Sequence, residues 1–400
     1  MRRPRLLDPG HGGVRAEMSR MGVDPHGMRI MEEKGRLLLV RLDDIDIRAA
    51  LILKQDMLSI GGDVALCRKA GSLEVKTTPA LLMGTVREVR ELAEKIRQQS
   101  FGLRELGGAL RDLLSGLDSQ ASFVVGGKNL LEGGKILVMG ILNVTEDSFF
   151  DGGRYADVDA AVEHGFRMAQ EGADIIDVGG ESTRPGSSPI QEEEEAQRVL
   201  PVIRRLKAGG VMCISVDTTK ASVARKAVEE GADIINDISG MNFEPSMREV
   251  CAGMGASAVL MHTRGKPETM QERTDYEDLL GEVCTWLEDS MDQAIKEGIA
   301  PESICVDPGI GFGKTAEQNI ELIARLGELR SLGKAVMVGV SRKSFIGSLS
   351  GSPVEERLYG SLAAASSAVL NGADIVRVHD VVQTVQALSV AQPIRRAAPC

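Results

Sequence analysis

Along the last two thirds of the sequence, side chains capable of chemistry stand singly at the ends of short apolar runs. Asn143 follows KILVMGIL, Asp217 follows VMCISV, Asn236 lies in DIIND, and His262 follows SAVLM. Asp307 follows SICV, Ser341, Arg342 and Lys343 follow AVMVGV, and Arg377 and His379 fall within DIVRVHD. Each has an ordinary reading when taken alone. Asp307 in Asp-Pro-Gly suits a turn, Asp217 before Thr-Thr suits a helix cap, and Asn236 suits turn chemistry. A lone His262 suits a satisfied core, and Ser-Arg-Lys a solvated face. Together, however, they divide into two chemical groups. Asp217, Asn236 and Asp307 offer acceptors, with donors from Asn236, for the amino and ring N–H edge of a flat heterocycle. Arg342, Lys343, Arg377 and His379, with Arg184 in the loop ESTRPGS beside Glu181 and Thr183, offer the cations that a diphosphate needs. The pattern predicts a ligand with two ends.

Those residues must be positioned by the runs they follow. From Lys135 onward eight apolar strand candidates occur, at 136–142, 174–178, 211–216, 233–238, 257–261, 303–306, 335–340 and 374–378, with helical patterns between them. A phrase recurs: EGADIIDVGG at 171–180, EGADIINDISG at 230–240 and NGADIVRVHD at 371–380. In each copy a helical run stops at Gly and an apolar strand follows, which is the rhythm of βα units. Eight such units over roughly 260 residues predict a (β/α)8 TIM barrel over 131–400, whose reacting groups sit at the C-terminal ends of its strands. Residues 1–130 read as a small α+β domain of three strands and three helices, with the first ~35 residues as an arm. No motif there carries recognisable chemistry, so an accessory or assembly role is the expectation.

Composition narrows the function. A net charge of −11 argues against a broad basic surface for nucleic acid or anionic membranes, so an anionic ligand must meet a local cluster of cations. No apolar run approaches the ~20 residues of a membrane span, and the start MRRPRLLDPGHGG lacks the apolar stretch of a signal peptide. The 6 cysteines are far apart with no CxxC pair, and are expected to be reduced, buried and cytoplasmic. GIGFGKT at 309–315 fails the GxxxxGK spacing, because Pro308 stands where the first Gly belongs; it reads instead as a flexible, lid-like loop whose Phe312 lies against a flat ligand. HExxH and a Ser-centred nucleophile elbow are both missing, which argues against zinc hydrolysis and acyl-enzyme chemistry.

Eight phrases in order, MGILNVTEDSFFDGG, DVGGESTRPG, SVDTTK, INDISG, MHTRGKPETMQ, DPGIGFGK, VGVSRKSFIG and RVHDV, resemble the dihydropteroate synthase family over about 136–385. The resemblance implies a cytoplasmic transferase of folate biosynthesis and sulfonamide target. Such an enzyme joins dihydropterin pyrophosphate to 4-aminobenzoate, as a homodimer joined through outer helices near its C-terminus. It further implies that Asp217, Asn236, Asp307 and Lys343 hold the pterin, with Ile238 and Met261 on its faces, and that Asn143, Arg377 and His379 hold the pyrophosphate, Asn143 through Mg2+. Thr183, Arg184, Phe312 and Ser344 would form the 4-aminobenzoate site, and Asp217, Lys343, Arg377 and Asp307 would carry the chemistry. In the implied dissociative mechanism pyrophosphate leaves first and the arylamine captures a stabilised cation.

The sequence departs from the family at Glu146 and Phe150 in loop one (144–153), at Thr263 and Arg264 after His262, and in its leading domain. A pterin-binding methyltransferase barrel or a non-catalytic pterin carrier would share the Asp and Asn residues. The methyltransferase does not need the cations of SRK and RVH, and the carrier could lose loop one and loop two (182–188), both present here. A Schiff-base aldolase would want a Lys inside a strand, whereas Lys343 lies just past one.

Overall fold

A computed structural model describes residue 7 and residues 10–117, 120–144, 154–183 and 186–397. It separates into two compact units, Met1–Ser119 with Arg395–Cys400, and Gln120–Ile394. In the first, strands β1 (Leu37–Asp46), β2 (Asp63–Leu66) and β3 (Thr77–Thr85) form an antiparallel sheet in the order β1-β3-β2. Alternation along β3 buries Thr78, Ala80 and Leu82 on one face. Helices Ile47–Ile60, Val86–Lys95 and Leu103–Gly116 contribute Leu53, Met57, Leu92 and Leu110 to the core shared with Leu82. Two of these helices start at sequence-legible caps: Asp46 accepts from Arg48 N–H at 2.8 Å, and Thr85 and Glu88 form a reciprocal capping box. The first 35 residues include two helices, Gly10–Arg20 and Pro25–Glu32.

The second unit starts with a short hairpin, β4 (Val124–Val125) and β5 (Lys128–Asn129), followed by eight parallel strands. These are β6 (Leu137–Asn143), β7 (Ile175–Gly179), β8 (Ile214–Asp217), β9 (Ile234–Asp237), β10 (Ser257–Met261), β11 (Ile304–Asp307), β12 (Ala335–Val338) and β13 (Ile375–Val378). They close in sequence order into a barrel, β13 pairing with β6. The strands are buried on both faces: outward residues such as Ile176, Val216 and Ile235 pack under the helices, and inward ones such as Ile175, Cys213, Ile234 and Cys305 fill the interior. Phe123, Val125 and Leu131 join that interior cluster, and Ser257 Oγ donates to Val124 O at 2.9 Å, so the hairpin caps the N-terminal end of the barrel. Residues 120–130, read from sequence as part of the leading domain, therefore belong to the barrel unit.

The repeated phrase has a structural cause. Its Asp, at 174, 233 and 374, precedes a strand and accepts the backbone N–H of the neighbouring strand: Val138 at 3.0 Å, Ile214 at 3.0 Å and Val336 at 3.1 Å. The same Asp donates its own N–H back to Val138, Ile214 and Val336 carbonyls, fixing the parallel register at the barrel floor. The preceding Gly172, Gly231 and Gly372 have φ of +103°, +110° and +121°, which a side chain would strain.

Among the described residues no helix is long and apolar enough to cross a membrane. Of the cysteines, Cys213, Cys251 and Cys305 are buried, but Cys67 is exposed and Cys284 half-buried, contrary to uniform burial; all five are free, and Cys400 lies outside the described residues.

Candidate active site

Period-two alternation sets which side chains enter the barrel mouth. Two residues beyond inward Ile175, Ile234 and Ile375 come Asp177, Asn236 and Arg377, and two beyond Cys305 comes Asp307. Asn236, Ile238, Met261, Asp307, Ile310, Phe312, Met337, Gly339, Lys343 and Arg377 line one narrow cleft. Ile238, Met261, Met270 and Phe312 form a small apolar cluster of their own, which supplies flat hydrophobic walls. Asn236 and Asp307 are each 3% exposed, so their polar atoms face a desolvated space.

The polar groups form one network. Arg377 Nε donates to Asp177 Oδ2 and its Nη2 to Asp217 Oδ2, both at 2.6 Å, while Asn236 Nδ2 donates to Asp177 Oδ2 at 3.1 Å. Asp177, Asn236 and Arg377 occupy the same position of the recurring phrase, the residue three after its Asp. Sequence reading did not single out Asp177, although that repeat would have found it. Burial pushes the Asp217 carboxyl up to about 7, opposed by the Arg377 guanidinium, and raises Asp307 to about 6 against the pull of the Gly309 N–H and Lys343. Asp307 Oδ1 accepts from Gly309 N–H at 2.7 Å. Lys343 Nζ lies 4.3 Å from the centre of the Phe312 ring, and burial lowers its ammonium to about 8 with help from Arg377.

The cationic group differs from the sequence expectation in two members. The Arg342 guanidinium is bound by Asp380 at 3.1 and 2.6 Å and does not line the cleft. His379 is not a cation either: burial, then Arg377 and Arg342, bring it down to about 4. Ser341 Oγ accepts from His379 N–H at 3.2 Å and lies 3.0 Å from Nδ1. Lys343 and Arg377 remain as the cations lining the cleft.

Asn143 ends β6 half-buried, and its side chain makes no protein hydrogen bond among the described residues. Thr183 lines a neighbouring cavity together with Asp217, Ile238 and Lys220, and so does not share a cavity with Phe312. There Lys220 ion-pairs with Glu181 and, at 2.5 Å, with fully buried Glu195. Ser344 is exposed at the start of helix Ser344–Ser350 and lines neither cavity. Arg184 and most of loop one, with Glu146 and Phe150, lie outside the described residues. Arg264 turns away from the cleft, stacked on Tyr276 at 3.8 Å and paired with Glu282, and Thr263 Oγ1 donates to Gly265 O.

The loop Gly309–Gly313, expected to be lid-like, is tied to its surroundings by hydrogen bonds along its length. Gly309 and Phe312 carbonyls accept from Lys314 Nζ, Gly311 O from Gln271 and Gly313 O from Tyr276. Gly309 has φ +70°, and a Cβ there would fall 2.0 Å from His262 O, so this position admits no side chain. Lys314 was not anticipated from the sequence; a polar residue inside a rejected P-loop match gave no signal. His262 is 2% exposed, edge-on to Trp286 at 5.1 Å, and fills the core position expected of a lone histidine.

Residues 139–379 match the pterin binding enzyme family. A dihydropteroate synthase of Synechocystis sp. is 48% identical over 272 residues, covering 68% of this chain and 94% of that protein. A probable bifunctional folylpolyglutamate synthase/dihydropteroate synthase of Halobacterium salinarum is 41% identical over 388 residues, 96% of this chain but 46% of that protein, so the likeness extends into the leading unit. Among solved structures, a Xanthomonas albilineans dihydropteroate synthase with 4-aminobenzoic acid superposes with a TM-score of 0.64 at 43% identity, covering 69% of this chain and 99% of that one.

Proposed function

This chain belongs to the pterin binding enzyme family, and on that premise we infer that it is a dihydropteroate synthase, a transferase of folate biosynthesis. It joins 6-hydroxymethyl-7,8-dihydropterin pyrophosphate to 4-aminobenzoate, giving 7,8-dihydropteroate and pyrophosphate. The observation that carries the reading is the convergence of Asn236, Asp307, Lys343 and Arg377 with the apolar walls Met261, Ile238 and Phe312 on one cleft at the barrel mouth.

In this reading Asp307, Asn236 and Asp217 take the pterin N–H edge, Lys343 its acceptor side, and Met261, Ile238 and Phe312 its faces. Arg377, the neutral His379 ring and Asn143 receive the pyrophosphate. The exocyclic C–O bond breaks with its electron pair going to pyrophosphate, the 4-aminobenzoate nitrogen forms the new C–N bond, and one proton leaves that nitrogen. Lys343 and Arg377 stabilise charge developing on the leaving group, while Asp177, Asp217 and Asp307 favour the positive pterin. The apolar walls keep water from capturing it. Thr183, Arg184, Phe312 and Ser344 are assigned to 4-aminobenzoate by family likeness, and Phe312 is the member that lines the cleft.

Asn143 suits a Mg2+ ion. Among the described residues no group of three or more His, Cys, Asp or Glu could hold a metal, and one oxygen donor is consistent with an ion that keeps its waters and is held mainly by phosphate oxygens. When bound, it would neutralise charge on the departing pyrophosphate. We further assign the enzyme to the cytoplasm, supported by five free cysteines, and to a homodimer through its C-terminal outer helices, supported by exposed Tyr359, Leu370, Val382 and Val390.

The test is pyrophosphate release by the full chain. It should require 4-aminobenzoate and Mg2+ together; release without the arylamine would instead identify a hydrolase.

A further inference from the structure

Lys314 is 3% exposed, lines neither cavity, and among the described residues makes no ion pair with a carboxylate. Its Nζ instead meets three acceptors: Gly309 O at 3.1 Å, Phe312 O at 3.0 Å and His262 Nδ1 at 2.9 Å. In its ammonium form Lys314 has three donors and no acceptor, so each N–H then has one partner and His262 Nδ1 accepts. Burial lowers the Lys314 ammonium to about 7 against the pull of the nearby Asp307 carboxylate, and the three acceptors that the side chain holds offset part of that cost. Two of those groups bracket the turn that presents Phe312. The turn also lies against Lys343, since a Cβ on Gly311 would fall 3.2 Å from Lys343 Cδ. The Phe312 ring in turn sits 4.3 Å from Lys343 Nζ.

We propose that Lys314 is a positioning residue for the transfer reaction: it locks the Gly309–Gly313 turn so that Phe312, and through its ring Lys343, meet the dihydropterin pyrophosphate in a fixed geometry. The inference rests on the dihydropteroate synthase reading. It assigns Lys314 no contact with substrate. Its effect passes through Phe312, and that path separates positioning from general support of the fold.

The experiment is a double-mutant cycle read as the dissociation constant for dihydropterin pyrophosphate, by calorimetry on the full chain. Lys314→Met in the native background should weaken binding roughly 10- to 100-fold, within the range over which residues in contact couple energetically. In a Phe312→Ala background the same change should move binding less than about threefold, because the group being positioned is gone. Lys314→Gln, with two donors, should fall between lysine and methionine, and carries the cycle by itself if the methionine variant does not fold. Fluorescence of Trp286, the one tryptophan, reports folding next to His262. Native-like binding by Lys314→Met overturns the proposal, as does an equal fold-loss in both backgrounds, which is what general loosening gives. If the unmodified chain fails to bind, the underlying reading falls and this proposal with it, a result recognisable before any substitution is made.

Discussion

Replacing Asp307 by Asn changes one atom and reverses the hydrogen-bonding sense of the cleft. Asp307 Oδ1 is engaged by Gly309 N–H at 2.7 Å. In the Asn variant the amide oxygen must stay with that N–H, which turns the NH2 toward the N–H edge of the pterin. Two donors then face each other in a site 3% exposed. A hydrogen bond to a charged group contributes about 1.5–3 kcal/mol, and leaving a buried donor unsatisfied costs about 1–3 kcal/mol. A net loss of about 3–4 kcal/mol corresponds to a dissociation constant for dihydropterin pyrophosphate raised roughly 150- to 1000-fold. A second signature comes from pH. Asp307 is pushed up to about 6 and Asp217 to about 7, both first by burial. The ligand binds the ionised carboxylates, so native binding should weaken as pH falls through these values, by one proton below about 7 and by two below about 6. In the Asn variant the second proton should disappear. The ligand's own phosphate titration is common to both proteins and cancels. Calorimetry from pH 5 to 8 measures both effects. Binding by the variant within about threefold of native, or an unchanged proton dependence, would refute the assignment of Asp307 as the acceptor.

Three further outcomes follow from the same geometry. Phe123→Ala empties a fully buried position in the hairpin that caps the barrel floor; urea unfolding should show about 3–5 kcal/mol lost, and a loss under 1 kcal/mol would mean the cap does not support the barrel. Arg377→Met strands the buried Asp177 and Asp217 carboxylates; it should destabilise the fold by about 3–5 kcal/mol in addition to abolishing turnover, and a variant of native stability would contradict the network. Of the five described cysteines, Cys67 is exposed and its thiol is lowered by the Thr78 hydroxyl, whereas burial pushes Cys213 and Cys251 up to about 12. Mass mapping after brief alkylation at neutral pH should therefore find Cys67 modified first, with Cys213, Cys251 and Cys305 protected until unfolding.

The barrel was legible because its signal is local and repeated. Gly stop, Asp and apolar strand recur in three copies, and structure gives the reason: each Asp ties one strand to the next at the floor. Strand alternation then delivered Asp217, Asn236, Met261 and Asp307 to one end. What the sequence did not display is pairing. Arg342 and Arg377 look alike as strand-end cations, yet one is held by Asp380 outside the cleft and the other by two carboxylates inside it. His379 reads as a cation until its burial is known. Glycine spacing in GIGFGKT suggested freedom, whereas Gly309 is required by the close approach of His262 O and the turn is bonded along its length. The domain boundary moved for a similar reason, since the apolar Phe123 and Leu131 find their partners in strands far along the chain.

A crystal structure of the full chain with dihydropterin pyrophosphate tests the two-ended grip most directly. The account predicts the pterin ring between Met261 and Phe312 with its N–H edge on Asp307 and Asn236, and the diphosphate reaching Arg377, His379 and Asn143. A ring seated instead in the cavity lined by Thr183 and Lys220, or a diphosphate remote from Arg377, would contradict it.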